Sequence, residues 1–192
     1  LPLLDPGDIL IDGGNSNFGD TVRRTRDLTD KGILYIGTGV SGGEEGALLG
    51  PSLMPGGSDE SWVTLGPILT SIAAVAEGEP CVTHIGHDGA GHFVKMVHNG
   101  IEYALMEAYA EGFELMSAKA ELNLDLAQIA EIWRYGSVVR SWLLDLTALA
   151  LHDDPELKDI QAYVEDSGEG RWTVQESIGL GVPAPAITLA LQ

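Results

Sequence analysis

The first 57 residues alternate short apolar runs with glycine-rich turns, and this alternation most restricts the folds open to the chain. Residues 8–12, DILID, predict a buried strand that ends at a glycine turn, and residues 33–36, ILYI, predict a second strand. The polar segment 17–31 between them has helical character. A strand–helix–strand order with glycines after each strand is typical of a parallel α/β sheet. We expect three further elements, which are strands at 52–57 and 81–86 and a helix at 59–76.

From Gly89 onward the apolar residues recur at the spacing of helices. We predict helices over 90–121 and 125–151. The second has apolar residues on much of its circumference, as in a helix buried within a bundle. Asp154-Pro155 predicts the start of another helix with proline in its first turn. The predicted fold is therefore α/β followed by all-α, with one domain at 1–88 and a second at 89–192.

The charge of the chain excludes two classes of partner. It has 29 acidic and 10 basic residues, which gives a net charge of −19 at pH 7. Such a chain repels nucleic acid and anionic membranes, so we expect neither as a partner. No apolar run reaches the roughly 18 to 20 residues that a membrane span requires. The single cysteine, Cys81, cannot form a disulfide within the chain and is consistent with a reducing cytoplasm.

Two polar turns follow the predicted strands, at the place where ligands bind in open α/β sheets. Asn15, in DGGNS, can hydrogen-bond a ligand there, or this turn can simply cap the next helix. Ser41, Gly42 and Gly43 follow the second strand. Their exposed N–H groups and the start of a helix would form an anion site. The alternative is a flexible loop whose serine caps that helix.

The segment 91–103, GHFVKMVHNGIEY, carries polar residues on a face where a core helix should be apolar. Four of them stand at i, i+3, i+4 and i+7, and therefore on one face of a helix: Lys95, His98, Asn99 and Glu102. Enclosure lowers the pKa of a lysine, which lets it act as a base near neutrality, and a nearby carboxylate can act as the acid. The sequence thus predicts a proton-transferring site between the glycine turn and this helix.

Three other interpretations of these residues remain open. Lys95 and Glu102 can form a solvated stripe, although their apolar neighbours leave few positions for one. His98 and Glu102 at i, i+4 can bind a metal, but no further ligands are evident, so no metal is predicted. Ser41 with His98 suggests acyl transfer, but no aspartate partner for a catalytic triad is identifiable.

Three segments resemble the 6-phosphogluconate dehydrogenase family: IDGGNS at 11–16, GTGVSGGEEGALLGPSLMPGG at 37–57 and GAGHFVKMVHNGIEY at 89–103. A looser match continues through RWTVQESIGLGVP at 171–183. The resemblance implies that residues 1–88 are a partial Rossmann-like NAD(P)-binding domain without its first βαβ unit and G-x-G-x-x-G fingerprint. It implies that residues 89–192 are a helical substrate and dimerisation domain, truncated at its C-terminus.

The resemblance also implies a reaction, the oxidative decarboxylation of 6-phospho-D-gluconate by NADP, or NAD, in the pentose phosphate pathway. Lys95 would be the general base and Glu102 the general acid. The implied substrate-binding residues are Ser41, Gly42, Gly43, His98, Asn99 and Tyr103, with Tyr103 near the phosphate. Asn15 would lie where the nicotinamide meets the substrate. The implied assembly is a cytoplasmic homodimer or a higher homo-oligomer.

The sequence departs from the family just before GEGRW at 168–172, where the longer form of the family has a lysine. Here the loop reads EDSGEGRW, and Arg171 is the expected neighbour of that position. One alternative is a related β-hydroxyacid dehydrogenase of the 3-hydroxyisobutyrate type, although GVSGGEEG and HNGIEY favour phosphogluconate. Another is a non-catalytic remnant that oligomerises through its helices, and the chain 1–192 on its own is expected to be inactive.

Overall fold

The structure, a computed structural model, describes residues 2–192; Leu1 lies outside them. The chain begins with the predicted strand–helix–strand unit, formed by β1 (Ile9–Asp12), α1 (Phe18–Thr29) and β2 (Leu34–Ser41). The two strands pair in parallel, with Ile9 opposite Leu34. The side chain of Asn17 accepts a hydrogen bond from Gly19 N and caps α1. The α/β opening of the chain is therefore confirmed.

The sheet is mixed rather than parallel throughout, which corrects the sequence prediction. β3 (Ser52–Gly57) pairs antiparallel to β2, and the strand order is β1-β2-β3. Only the short helix α2 (Gly43–Leu49) joins β2 to β3. A parallel crossover needs a dozen or more residues, so this connection returns the chain antiparallel beside β2.

The second strand is longer than predicted and includes the glycines that we assigned to a loop. β2 continues through residues 37–41 because β3 pairs with that stretch, with Gly39 opposite Met54 and Ser41 opposite Ser52. Ser41 is thus the last residue of a strand rather than part of a flexible loop. Gly42, with φ of +147°, then turns the chain into α2.

After β3 the chain forms helix α3 (Asp59–Ile72) and a two-stranded hairpin, β4 (Val75–Ala76) and β5 (Glu79–Pro80). The strand predicted at 81–86 is wrong as a continuous element. This stretch runs beside β3 and makes only the isolated bridges Leu53–Val82 and Gly56–Gly86. No unbroken ladder forms, because the backbone of Val82 turns back and donates to Pro80 O.

The second half is helical, as predicted, but its helices are divided differently. Its elements are α4 (Ala90–Ala118), a 3₁₀ turn (Ala120–Leu122), α5 (Leu126–Gly136), α6 (Trp142–Asp153), α7 (Glu169–Leu180) and α8 (Pro185–Leu191). The single helix predicted over 125–151 breaks at 137–141, where the side chain of Ser141 caps α6 by accepting from Leu144 N. The helix predicted from Asp154 is wrong, because residues 154–168 form turns and irregular backbone.

The α5–α6 hairpin packs around the C-terminal half of α4. Its core cluster contains Phe113, Ala130, Leu144, Ala148 and Leu151. The prediction that this segment is buried around most of its circumference is wrong for the chain alone. Large apolar side chains also lie exposed on α5, on α6 and in the turn between them: Ile132, Tyr135, Val138, Trp142 and Leu149. No helix within residues 2–192 combines the length and the apolar character needed to cross a membrane.

Helix α4 lies directly on the sheet because glycines on both sides permit backbone contact. A Cβ placed on Gly91 would stand 2.3 Å from both Gly37 O and Met54 O. One on Gly39 would stand 2.5 Å from the Cβ of Lys95. The glycines of β2 therefore admit the helix and set Lys95 beside the end of the strand. The division into domains at residue 88 stays a prediction, since α4 contacts both the sheet and the helices α7 and α8.

Candidate active site

Lys95 is a buried lysine on the face of α4 that contacts β2. Its side chain is only 6% exposed, and its Nζ donates to Asn99 Oδ1 over 2.5 Å. Burial lowers the pKa of Lys95, although the nearby carboxylates of Glu169 and Glu102 raise it. A lysine with a lowered pKa has a larger neutral fraction near pH 7, and it can then accept a proton.

Asn99 connects this lysine to a carboxylate that the sequence analysis did not identify. The Nδ2 group of Asn99 donates to Oε2 of Glu169, the first residue of α7. Glu169 is 2% exposed, and burial raises the pKa of its carboxyl group, while Lys95 and the hydrogen bond from Asn99 oppose that rise. In the sequence Glu169 looks like an acidic residue in the first turn of a helix. No periodicity places it opposite a residue 70 positions earlier.

Ser41 and His98 meet although they lie on different elements. Ser41 Oγ is 3.0 Å from His98 Nε2, and His98 Nδ1 is 3.0 Å from Asn99 Oδ1. Glu102 Oε2 is 3.6 Å from the same Nδ1. That separation is too long for a hydrogen bond, so the acceptor of His98 is the amide of Asn99. The Ser–His–carboxylate geometry that acyl transfer requires is therefore incomplete.

A cavity of about 800 Å³ opens beside these side chains. Its polar wall includes eight of the nine residues that the sequence analysis named: Asn15, Ser41, Gly42, Gly43, Lys95, His98, Asn99 and Glu102. The start of α6 contributes a further wall that the sequence did not predict, which consists of Ser141, Trp142, Leu143 and Leu146. Nothing in the spacing of those residues distinguishes them from a core helix. The cavity thus combines hydrogen-bonding groups on α4 and β2 with apolar side chains from both α4 and α6.

Tyr103 lies outside the residues that line this cavity. Its hydroxyl is 2.8 Å from Ser167 Oγ, and its ring lies against Gly170, where a Cβ would be 2.7 Å away. Arg171, the expected neighbour of the position that holds the family lysine, is bound to Asp166 over 2.6 Å. The hydroxyl of Tyr103 and the guanidinium of Arg171 therefore already have partners within the chain.

The turn that carries Asn15 is held by Asp12 at the end of β1. The Oδ2 atom of Asp12 accepts from Tyr35 OH over 2.6 Å and from Ser16 Oγ over 2.8 Å, and it lies 3.2 Å from Arg24. Burial, followed by the hydrogen bond to Asp12, raises the pKa of Tyr35 to about 12. This network fixes the loop after β1, which places Asn15 at the rim of the cavity.

Within residues 2–192 no group of three or more His, Cys, Asp or Glu side chains has a geometry that could hold a metal ion. The pair His98 and Glu102 therefore has no third partner of these types. The polar groups of the cavity are suited to binding hydroxyl and carboxylate oxygens and to moving protons.

Comparison with known families finds two family models that match successive parts of the chain. Residues 1–86 match the model described as the NAD binding domain of 6-phosphogluconate dehydrogenase. Residues 91–192 match the model described as the 6-phosphogluconate dehydrogenase C-terminal domain. The chain belongs to the 6-phosphogluconate dehydrogenase family. The family resemblance and the predicted fold class, a Rossmann-like cofactor domain followed by a helical domain, are confirmed.

Relatives within the 6-phosphogluconate dehydrogenase family extend beyond the part matched here. The decarboxylating enzyme of Pseudescherichia vulneris is 53% identical over 194 residues, which cover 97% of this chain and 43% of that protein. The enzyme of Escherichia coli (strain K12) is also 53% identical, with 97% and 41% covered. The chain spans about two fifths of the length of these curated relatives.

Solved structures show the same relationship. The 6-phosphogluconate dehydrogenase of Plasmodium falciparum superimposes with a TM-score of 0.88 and 38% identity, over 98% of this chain and 42% of that one. A 3-hydroxyisobutyrate dehydrogenase from Salmonella typhimurium superimposes with a TM-score of 0.75 over 98% of this chain and 63% of that one. Its identity is only 21%, so this second likeness concerns the fold alone.

Proposed function

We propose that the protein containing this chain catalyses the oxidative decarboxylation of 6-phospho-D-gluconate to ribulose 5-phosphate and CO2 with NADP, or NAD. The observation that carries the proposal is the convergence of Lys95, Glu102 and the Ser41–His98–Asn99 group on one cavity. The relatives named above support it, since they bear the name of this activity. The Plasmodium falciparum structure is described in complexes with NADP⁺ and with 6-phosphogluconate.

In this proposal Lys95 is the general base. Burial lowers its pKa, so its amine can take the proton of the C3 hydroxyl of the substrate. Bound NADP would supply the acceptor for the hydride of C3. Asn15, at the cavity rim where β1 ends, is the residue of this chain that we assign to the nicotinamide side.

Decarboxylation follows from the proton that Lys95 has gained. The ammonium group hydrogen-bonds the new C3 carbonyl oxygen and stabilises negative charge there while the C1–C2 bond breaks. CO2 leaves, the electron pair forms the C2–C3 double bond, and Lys95 gives its proton to the C3 oxygen to complete the enediol. Glu102 then protonates the former C2, which becomes C1 of ribulose 5-phosphate, while the C3 hydroxyl proton returns to Lys95. Glu102 lines the same cavity two helical turns from Lys95, which suits this second proton transfer.

The remaining polar residues hold the substrate. We assign Ser41, Gly42, Gly43, His98 and Asn99 to the hydroxyl and carboxylate groups of the sugar acid. Tyr103, which lies beside the cavity rather than in its wall, is assigned to the phosphate end. The exposed apolar faces of α5 and α6 support a homodimer. The setting that we propose is the pentose phosphate pathway in the cytoplasm.

The deciding experiment is a steady-state assay of the complete protein with NADP and NAD in parallel. 6-Phosphogluconate labelled with ¹⁴C at C1 should yield reduced cofactor and ¹⁴CO2 in equal amounts. 3-Hydroxyisobutyrate serves as the competing substrate. Faster turnover of that compound would favour the β-hydroxyacid dehydrogenase alternative, and the absence of turnover with either substrate would favour a non-catalytic oligomerising remnant.

A further inference from the structure

Glu169 is a buried carboxylate to which the mechanism above gives no role. It lies at the start of α7, 2% exposed, and receives the hydrogen bond from Asn99 Nδ2. A buried carboxylate destabilises a protein unless its partners compensate for the lost hydration. The position of Glu169 beside the proposed base therefore needs a physical explanation.

The docking of α7 onto α4 does not depend on Glu169. Thr173 Oγ1 donates to Met96 O over 2.8 Å. Gly100 leaves room for the Thr173 side chain, because a Cβ on Gly100 would stand 2.9 Å from its Cγ2. These contacts hold α7 against α4, so the packing of the two helices does not require the carboxylate of Glu169.

The carboxylate determines which way the amide of Asn99 faces. An ionised carboxylate only accepts hydrogen bonds, so the NH2 end of Asn99 must point to Glu169. Oδ1 then points to the opposite side, where it accepts from Lys95 Nζ and from His98 Nδ1. A glutamine at position 169 would offer both a donor and an acceptor, and the amide of Asn99 could then take either orientation.

The orientation of Asn99 in turn determines which ring nitrogen of His98 carries the hydrogen. Because Nδ1 donates its proton to Asn99 Oδ1, Nε2 of the neutral ring is an acceptor. Nε2 therefore receives the hydroxyl hydrogen of Ser41, 3.0 Å away. One carboxylate thus sets the donors and acceptors of four side chains around the cavity: Asn99, Lys95, His98 and Ser41.

We propose that Glu169 is a positioning residue of this site, which fixes the amide of Asn99 and through it the hydrogen-bonding pattern of Lys95, His98 and Ser41. The inference rests on the proposed function for the chemical role of Lys95. The hydrogen-bonding pattern itself involves only side chains of this chain and does not depend on that function.

The proposal predicts how Lys95 titrates. Among the described residues, the titratable groups facing Lys95 are His98 and Glu102 on its own helix and Glu169 on α7, while β2 offers Ser41 and α6 presents uncharged side chains. The Glu169 carboxylate favours the charged form of Lys95. Removing that charge, and with it the fixed Oδ1 acceptor, should make Lys95 lose its proton at lower pH.

The test measures the reactivity of Lys95 directly in the complete protein. Competitive acetylation with trace isotopic acetic anhydride at a series of pH values, read by peptide mass spectrometry, gives the midpoint at which Lys95 becomes nucleophilic. The exposed Lys158 is the internal reference. Glu169→Gln is the test variant, and Glu176→Gln, two turns along the same helix, is the control for loss of one negative charge.

We expect Glu169→Gln to lower the Lys95 midpoint by about one pH unit and Glu176→Gln to leave it unchanged. Glu169→Asp, whose shorter carboxylate withdraws from Asn99, should lower it part of the way and provides the measurement if Glu169→Gln does not fold. An unchanged or raised midpoint in the folded Glu169 variants would overturn the proposal. If the Glu169 variants only loosened the packing around Lys95, its acetylation rate at high pH would rise, but the midpoint would not move to lower pH.

The pH dependence of kcat/KM separates the two proposals. If Lys95 is the base, the acidic limb for 6-phosphogluconate oxidation should move with the labelling midpoint in Glu169→Gln. A midpoint that moves while the acidic limb stays in place would keep the role of Glu169 and reject Lys95 as the base.

Discussion

Gly91 of α4 lies so close to Gly37 of β2 that a Cβ on Gly91 would stand 2.3 Å from the Gly37 carbonyl oxygen. Real Cβ atoms do not approach backbone oxygens this closely, and a carbonyl within a strand cannot move aside without breaking its ladder. Helix and sheet are therefore joined here backbone to backbone. The proposed base, four residues further along α4, takes its position from this contact.

Gly91→Ala should destabilise the protein by about 3 kcal/mol, because the added methyl group overpacks a rigid interface. Urea unfolding followed by circular dichroism measures the loss. Gly112→Ala on the same helix is the control, since a Cβ there meets nothing within 4 Å. It should stabilise the helix by roughly 0.5–1 kcal/mol. Equal stabilities of the two variants would show that the close contact does not exist in solution.

Lys95→Met should lower kcat for NADP reduction by about 10²–10⁴-fold, because it removes the proton acceptor and keeps the length of the side chain. Formation of NADPH at 340 nm in the complete protein is the measurement. Lys119→Met, at the exposed C-terminal end of α4, is the matched control and should retain wild-type turnover. Near-normal activity of Lys95→Met would exclude this residue as the base.

Glu102→Gln should slow the protonation of the enediol more than the oxidation step. The specific readout is tritium exchange at C1 of ribulose 5-phosphate, which we expect to fall by at least about tenfold. Glu111→Gln, on an exposed position of the same helix, removes an equal charge and should leave exchange unchanged. If exchange were as fast in Glu102→Gln as in the wild type, another group would have to be the acid.

Tyr35→Phe should change how stability depends on alkaline pH. The pKa of Tyr35 is raised from 10.0 to about 12 in the folded protein, so the folded state holds this proton more tightly than the unfolded state. The contribution to stability is complete below pH 10 and is lost as the pH rises toward 12. The stability difference between wild type and Tyr35→Phe should therefore shrink by about 1.3 kcal/mol between pH 9 and pH 11.

Urea unfolding at the two pH values measures this difference. Tyr163→Phe, at a side chain that is 70% exposed, is the control for removing a phenol hydroxyl. If the stability difference between wild type and Tyr35→Phe were the same at both pH values, the hydrogen bond to Asp12 would not shift the pKa of Tyr35.

The sequence predicted those features that depend on local pattern. The 3.6-residue period placed Lys95, His98, Asn99 and Glu102 on one face of α4, and the glycine turn correctly marked the approach of β2 to that face. The antiparallel direction of β3 was missed, because direction depends on the length of the connection rather than on the strand's own residues. The glycines of β2 were taken for a loop. A strand requires glycine at these positions only because α4 packs closely over them, and the sequence does not show that contact.

Glu169 and the α6 wall of the cavity could not be predicted for a different reason. Both reach the site through the packing of helices distant in sequence, and their own spacing resembles that of an ordinary helix end and an ordinary core face. The burial expected for the 125–151 segment failed in a related way. Apolar periodicity shows that a surface prefers to be covered, but it does not say whether the same chain covers it.

The close helix–sheet contact and the side chains of α6 differ in how far substitutions can change the substrate selectivity of the site. Where β2 meets α4, the glycine backbones are already in contact and leave no room for a larger side chain. On the α6 side Trp142, Leu143 and Leu146 present bulk that can be enlarged or trimmed. Libraries aimed at new sugar acids should therefore diversify α6 and leave the glycines untouched, so that selectivity varies while the proton-transfer geometry is kept.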